Sequence, residues 1–196
     1  MSAQDDPVTL AEAFARVPRR RFLPADQQGW AESNVPLEIG CSQTNSQPST
    51  VADMLSLLDV EPGQTVLDLG SGSGWTTALL GVLVGGRGRV IGVERHRELL
   101  DGAIAACDGL GFEAIEFAEA AAGTLGLPER APFDRILVSA EAKTLPGSLV
   151  EQLVVGGVMV IPVSGDMLRV ERTGETPEDA TVTRHGRYRF VPLIEE

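Results

Sequence analysis

The feature that most constrains the fold is a glycine-rich turn between an apolar strand and a helix. The strand pattern of residues 66–69 ends in glycines at alternate positions, Gly70, Gly72 and Gly74, and a helical pattern follows over residues 76–84. Alternate glycines allow a tight turn and let a ligand approach the backbone where a Cβ atom would collide. The first amides of the helix would point at that ligand. The segment therefore predicts a nucleotide-type site.

The next strand supports a ligand role for this turn. Residues 89–93 have a strand pattern, and Glu94 ends it about 20 residues after the glycines, where related folds place an acid on the ribose hydroxyls. The alternatives are an ordinary glycine-rich turn and a solvated acid at a strand end. A dinucleotide fingerprint, G-x-G-x-x-G, is disfavoured because its third glycine would fall on Trp75.

Charge limits the choice of partners. The net charge of −12 over 196 residues argues against nucleic acid as the main partner, because such binding depends on phosphate neutralisation by Lys and Arg. Residues 184–189 form a short basic run that alternates like a strand, and we interpret it as one solvated face. The length suits one domain with a full core, or one domain with a small appendage.

The expected cellular compartment is inferred from the absence of membrane-span, signal-peptide and disulfide patterns in the sequence. No apolar run approaches the roughly 18 residues of a membrane span, and the polar, acidic residues 1–6 do not resemble a signal peptide. Cys41 and Cys107 have no metal-ligand spacing and form no disulfide framework. We expect no metal, no membrane contact and a cytoplasmic location.

The rest of the pattern alternates strands with helices, which predicts a parallel sheet covered on both faces. Helices are expected over residues 8–17, from 48 or 49 to 58, 76–84, 96–109 and 145–153, with a short helical piece around 27–32. Parallel strands are expected over residues 66–69, 89–93, 114–117, 133–139 and 158–162. Period-two patterns at 167–172 and 181–192 predict an antiparallel hairpin at the sheet edge.

Residues 35–48 form the second informative segment. Small hydroxyl and amide side chains dominate it with little apolar periodicity, which predicts a loop with hydrogen-bonding chemistry. Ser46 stands just before a predicted helix, so its position alone favours an N-cap.

With both segments considered, the chain resembles the protein-L-isoaspartate O-methyltransferase family of class I S-adenosylmethionine-dependent methyltransferases. The likeness runs nearly end to end, and the segment at 35–48 is its most specific part. The matching residues are Ala13, Phe14, Val17, Pro18, Arg19, Arg21, Phe22, Pro36, Leu37, Ile39, Gly40, Gln43, Thr44, Ser46, Gln47, Pro48, Ala131, Pro132, Phe133, Asp134, Gly156, Gly157, Phe190, Val191, Pro192 and Leu193.

The resemblance implies a Rossmann-like α/β fold with a mostly parallel, doubly wound sheet, a C-terminal antiparallel hairpin and an N-terminal helical extension. It implies a single domain over residues 1–196. Residues 1–62 would cap the site, and residues 63–196 would form the core that binds S-adenosylmethionine.

The resemblance also implies the site residues. Ser46 corresponds to the catalytic serine of the family, with Thr44 beside it. The residues expected around S-adenosylmethionine are Gln43, Thr44, Asn45, Ser46, Asp68, Gly70, Ser71, Gly72, Gly74, Glu94, Ala121 and Ala122.

Four positions depart from the family pattern. Ala122 stands where the family usually has an aspartate near the adenine, so that side-chain contact is lost, although backbone at Ala121 and Ala122 can still line the pocket. Asn34 replaces an aspartate, Asn45 a common isoleucine, and Ser49 an aromatic residue or histidine.

The implied reaction is methyl esterification of L-isoaspartyl or D-aspartyl carboxyl groups in damaged proteins, by a monomer. One alternative is a relative that methylates a dedicated peptide or small-molecule carboxylate. Another is a non-catalytic S-adenosylmethionine-binding protein, and a dehydrogenase is more distant. A carboxyl group ordinarily has a pKa of ~4, so it needs no general base at neutral pH. Because the protein is anionic, we also expect Arg187 and Arg189 to attract the substrate if their strand faces the cleft.

Overall fold

A seven-stranded β-sheet forms the centre of the structure, a computed structural model that describes residues 7–111 and 114–194. The acidic N-terminal stretch at residues 1–6 lies outside the described residues. The strands in chain order are β1 (Leu37–Gly40), β2 (Gln43–Asn45), β3 (Thr65–Leu69), β4 (Arg89–Glu94), β5 (Ile115–Glu119), β6 (Phe133–Val138), β7 (Leu153–Val163), β8 (Asp166–Arg172) and β9 (Ala180–Arg187).

The helices lie between these strands. They are α1 (Leu10–Arg16), α2 (Pro48–Leu58), α3 (Trp75–Val84), α4 (Arg97–Cys107) and α5 (Gly147–Val150), with 3₁₀ turns at Arg19–Phe22, Gln28–Trp30 and Pro128–Arg130. Among the described residues, none of the helices has the length and apolarity needed to cross a membrane.

The strand order is β5-β4-β3-β6-β7-β8-β9, and β3 to β7 pair in parallel. The chain moves outward from β3 to β5 and then returns to place β6 on the other side of β3. The order therefore reverses between β3 and β6, and in sheets of this type a crevice opens at the carboxyl ends of such strands. This is the doubly wound fold that we predicted.

Apolar side chains cover both faces of the sheet. Along β3, Val66 joins the cluster built on α1, α2 and α3, whereas Leu67 and Leu69 join the cluster on the opposite face. Every side chain of β4 from Val90 to Glu94 is buried, as expected for a parallel strand between two helical layers.

Local sequence signals fix several of the predicted elements. The Thr9 hydroxyl accepts from the Glu12 amide at the start of α1, and the Glu12 carboxylate accepts from the Thr9 amide, which completes a capping box. Pro48 occupies the first turn of α2, where its missing N–H costs nothing. The predicted limits of these helices are therefore close to the observed ones.

The prediction of a loop over residues 35–48 was wrong. The segment contains the hairpin of β1 and β2, in which Leu37 pairs with Asn45 and Glu38 with Thr44. The turn is made by left-handed backbone at Gly40, Cys41 and Ser42, with φ of 96°, 51° and 58°. Turn geometry, rather than apolar periodicity, selects this pairing.

The predicted helix over residues 145–153 is also wrong in extent. Only Gly147–Val150 is helical, and Leu153 already begins β7. Gly156 and Gly157 do not precede the strand but lie within it, next to a register irregularity between β6 and β7. Glycine inside a strand commonly marks such a bulge.

The C-terminal hairpin is present, as predicted. β8 and β9 pair antiparallel, and β9 is the edge strand, exposed along residues 181–187. Charged residues on an edge strand discourage pairing with a further chain. The basic run therefore lies at the edge of the sheet.

Candidate active site

A cavity of about 520 Å³ opens at the carboxyl ends of β3, β4 and β6. Its wall contains the segments after these strands, the β1–β2 hairpin and a C-terminal segment at residues 191–194. The cavity thus lies where the strand order reverses, and its size is in the range of small-ligand sites.

The glycine turn forms the floor of the cavity. Gly70, Gly72 and Gly74 have positive φ of 82°, 54° and 87°, a region that residues with a Cβ atom rarely adopt. The amides of Gly70 and Ser71 donate to the Val93 carbonyl at 2.8 and 3.1 Å, which fixes the turn against the end of β4. The buried hydroxyl of Ser71 has no hydrogen-bond partner among the described residues. A backbone of this shape is open to a ligand.

Glu94 is 5% exposed and lines the cavity beside this turn. Its Oε2 atom accepts a hydrogen bond from the Gly72 amide at 2.9 Å, and its Oε1 atom accepts from the amides of Arg95 and His96, each at 2.9 Å. A carboxylate oxygen can accept more than one hydrogen bond. Glu94 therefore shapes the turn and still offers lone pairs to a ligand hydroxyl.

Two of the residues predicted to contact the cofactor do not reach the cavity wall. Asp68 is fully buried behind the turn, and its Oδ2 atom accepts from the Thr76 and Thr77 hydroxyls at 2.8 and 2.7 Å. Gly74 is the N-cap of α3, and a Cβ atom there would meet the Cβ of Ala103 at 3.0 Å. The Asp68 side chain points to the face of the sheet that α3 covers. Both residues support the turn from behind.

Burial raises the pKa of Asp68 to about 6, opposed by the bonds from the Thr77 and Thr76 hydroxyls and reinforced by the charge of Glu94. The Oδ1 atom of Asp68 has no partner among the described residues. The ionised form is thus less stable here than in water.

The hydroxyl-bearing segment forms the opposite wall. Gln43, Thr44, Asn45 and Ser46 all line the cavity, with Asn45 buried, Ser46 half-buried and Thr44 exposed. The helix-cap interpretation of Ser46 does not hold, because the N-cap of α2 is Gln47 and has no side-chain cap bond. The Ser46 side chain is not committed to capping.

Ala121 and Ala122 also line the cavity, beyond Glu94 along the sheet edge. Residues 120–124 supply small side chains there, and Leu125, Arg95 and His96 supply larger ones. A nucleoside whose ribose meets Glu94 would direct its base toward this end. The Ala122 side chain supplies no hydrogen-bonding group to that base.

Two walls of the cavity were not predicted from the sequence. Ser139 and Ala140 follow β6, and their place beside the reversal of strand order could have indicated them. Residues 191–194 form the other wall, held by bonds of 2.7 Å from the Glu141 amide to the Val191 carbonyl and 2.8 Å from the Leu193 amide to the Glu141 carbonyl. No local pattern signalled that contact.

The basic run does not reach this cavity. Arg184 and Arg187 are exposed on β9, and neither they nor Arg189 belong to its wall. The condition under which Arg187 and Arg189 would attract the substrate is therefore not met, because β9 lies at the edge of the sheet away from the cavity. Within residues 7–111 and 114–194, no group of three or more Asp, Glu, His or Cys residues could hold a metal ion.

Comparison with known proteins identifies the family. A model of the protein-L-isoaspartate(D-aspartate) O-methyltransferase family matches residues 3–196. The chain belongs to this family. Protein-L-isoaspartate O-methyltransferases of Methanopyrus kandleri and Aeropyrum pernix are 45% and 44% identical to it over 189 residues each. The alignments cover 95% of this chain in both cases, and 84% and 73% of the two relatives.

This chain has the same fold as a solved protein-L-isoaspartate O-methyltransferase. The two structures superpose with a TM-score of 0.84 at 25% sequence identity. The match covers 94% of this chain but spans 60% of the solved one. The Rossmann-like class I architecture is thereby confirmed.

The departures from the isoaspartate methyltransferase pattern take part in specific polar contacts. Asn34 accepts from the Ser49 amide at 3.0 Å through its Oδ1 atom, and the Ser49 hydroxyl accepts from Gln47 at 2.8 Å. Asn45 donates to the Ser73 hydroxyl at 3.1 Å. Asn34 thus satisfies an amide in the first turn of α2, and Asn45 ties the hydroxyl-bearing segment to the glycine turn.

Proposed function

We propose that the protein methylates the carboxyl group of L-isoaspartyl or D-aspartyl residues in damaged proteins, with S-adenosylmethionine as the methyl donor. The support is membership of the family together with a cavity that joins the glycine turn and Glu94 to the segment carrying Ser46. Bound S-adenosylmethionine supplies an electrophilic methyl group on a sulfonium sulfur.

The residues present fit this cofactor. The turn from Gly70 to Ser73 offers open backbone and the unpartnered Ser71 hydroxyl, and Glu94 offers a carboxylate for the ribose. The cofactor residues that we propose at the wall are Gln43, Thr44, Asn45, Ser46, Gly70, Ser71, Gly72, Glu94, Ala121 and Ala122. Asp68 and Gly74 act only through the shape of the turn.

The chemistry requires positioning more than proton transfer. A bond forms between a carboxylate oxygen and the methyl carbon while the carbon–sulfur bond breaks, and the electron pair remains on sulfur. The acceptor is ionised at neutral pH, since the ordinary pKa of such a carboxyl group is ~4. In-line placement can lower the activation barrier by on the order of several kcal/mol, as the effective molarities of well-oriented groups indicate. We assign that placement to the hydroxyls of Ser46 and Thr44.

Replacing Ser46 by alanine tests this assignment. We expect kcat at saturating S-adenosylmethionine and peptide to fall about 10-fold, as for loss of one oriented hydrogen bond. Ser49→Ala is the matched control, since Ser49 lies three residues further on and outside the cavity wall. A wild-type kcat for Ser46→Ala would remove Ser46 from the reaction.

The acceptor is tested with two matched peptides that differ only in one isoaspartyl or aspartyl linkage. We expect radiolabelled methyl transfer to the isoaspartyl peptide alone. Methylation of neither peptide, with calorimetric binding of S-adenosylmethionine, would favour the non-catalytic binding protein. Methylation of another carboxylate and not of the isoaspartyl peptide would favour a dedicated substrate.

We further propose a cytoplasmic monomer whose partners are isoaspartyl-bearing proteins or peptides rather than nucleic acid or membranes. The net charge of −12 supports the exclusion of nucleic acid, and both cysteines are free. The division into a capping extension up to residue 62 and a cofactor-binding core after it remains a prediction. Sedimentation of the purified protein tests the oligomeric state.

A further inference from the structure

Arg19 is a buried cation that the proposed reaction does not yet use. It lies in the 3₁₀ turn Arg19–Phe22 after α1, and only 4% of its surface is exposed. Arginine is rarely so buried unless its charge and its donors are satisfied. The partners of its guanidinium therefore indicate what it does.

Three of its hydrogen bonds go to the segment that carries Ser46. The Nε atom donates to Asn45 Oδ1 at 2.7 Å, and Nη2 donates to the carbonyls of Asn45 and Ser46, each at 3.0 Å. One planar group thus contacts the side chain of Asn45 and the carbonyls of the two peptides that flank Ser46. Because the guanidinium has a rigid set of donors, it restrains direction as well as distance.

The other contacts anchor Arg19 to the scaffold. Nη1 donates to the Ser33 carbonyl at 3.0 Å, and Nη2 donates to the Val35 carbonyl at 2.9 Å. The guanidinium carbon lies 5.4 Å from the ring centroid of Trp75, the first residue of α3, within cation–π range. Arg19 therefore links the Ser46 segment to the helix that follows the glycine turn.

The acceptors of Arg19 are all carbonyl or amide oxygens in the part of the chain that the structure describes. Burial lowers the pKa of Arg19 to about 10, partly offset by the charge of Glu32. The group remains protonated at neutral pH, at a desolvation cost that no direct carboxylate partner offsets. Part of that cost is offset by the oxygen acceptors of the guanidinium, three of which belong to Asn45 and Ser46.

We propose that Arg19 is a positioning residue that holds the Asn45–Ser46 backbone so that the Ser46 hydroxyl faces the methyl acceptor. The inference rests on the role proposed above for Ser46. Lysine keeps the charge but lacks the planar fork, so it cannot hold two carbonyls and the Asn45 side chain at once.

The test is a double-mutant cycle of Arg19→Lys and Ser46→Ala on the full chain with isoaspartyl peptide. We expect R19K to lower kcat about 10-fold and to leave the calorimetric Kd for S-adenosylmethionine within about twofold. If Arg19 acts through Ser46, kcat of the double variant falls about 10-fold. Independent effects of the two substitutions would instead multiply to about 100-fold.

Arg135→Lys is the matched control. Arg135 also donates to backbone carbonyls, at 2.8 Å to Leu58 and 2.9 Å to Asp59, but at the far end of α2 and outside the cavity wall. We expect it to lower stability without changing kcat. This control shows whether kcat responds to the loss of any arginine bond to backbone carbonyls or only to the loss of the bonds beside Ser46.

The outcomes separate the two proposals. A wild-type kcat for S46A removes the role of Ser46, and with it the inference about Arg19. If S46A lowers kcat but R19K does not, or if the two effects multiply, only the role of Arg19 is overturned. Unfolding of R19K at the assay temperature, read by circular dichroism, or an equal loss of cofactor binding would make Arg19 merely structural and overturn it as well.

Discussion

We expect Glu94→Gln to weaken the binding of S-adenosylmethionine about 100-fold, which corresponds to about 2.7 kcal/mol and lies in the range for hydrogen bonds to a charged group. One oxygen of Glu94 accepts from the amide of Gly72 and the other from the amides of Arg95 and His96. Glutamine has a single oxygen, so its NH₂ group would face at least one of these backbone donors. The variant loses both the ribose acceptor and part of the shape of the turn. Calorimetric titration with S-adenosylmethionine measures the effect.

Glu119→Gln is the matched control for this result. Glu119 pairs in register with Glu94 at the end of the neighbouring strand β5, but it is exposed and lies outside the cavity wall. We expect an unchanged Kd for this variant. Equal affinities for Glu94→Gln and the wild type would show that the cofactor does not depend on this carboxylate.

The second large effect is a pH-dependent loss of stability that comes from Asp68. Its pKa is about 6 in the folded protein and about 3.9 in an unfolded chain. Below both values the residue is protonated in both states. As the pH rises from about 4 to about 6, the unfolded chain releases its proton first, so the free energy of unfolding falls by about 3 kcal/mol from this residue.

Asp68→Asn removes this contribution because the amide does not ionise, and its oxygen can still accept from Thr76 and Thr77. Urea unfolding of the apo protein should therefore show the variant gaining about 3 kcal/mol relative to the wild type between pH 4 and pH 7. Asp101→Asn is the control, since Asp101 is an exposed partner of Arg97 on α4. Parallel pH curves for Asp68→Asn and the wild type would contradict the prediction.

The glycine turn and Glu94 could be singled out from the sequence because their signals are local. Each of these features is visible within a few residues: the alternate glycines, the strand before them, and Glu94 at the end of the next strand. In the structure the turn and Glu94 lie at the same wall of the cavity. The alternation of strands and helices likewise indicated the parallel sheet. Such features depend on short-range backbone geometry.

What the sequence did not predict depends on tertiary contacts or on the direction of a side chain. The wall at residues 191–194 is held by the backbone pairing of Glu141 with that segment, which is distant in sequence. Asp68 stands next to the glycines in sequence, yet its side chain points behind the turn. The β1–β2 hairpin depends on left-handed backbone at Cys41 and Ser42, which these residue types seldom signal. The burial of Arg19 likewise depends on contacts with residues 31–46, which are distant in sequence. Its neighbours Arg20 and Arg21 indicate only a basic segment between two elements.

The burial of Trp75 gives the protein an internal optical reporter. The chain has two tryptophans; Trp75 is 3% exposed and borders the cavity, whereas Trp30 is 62% exposed. Iodide should quench the emission of Trp30 and spare that of Trp75, so the shielded signal can be followed alone. Ligand occupancy could then be titrated on the unlabelled, unmodified polypeptide at micromolar concentrations.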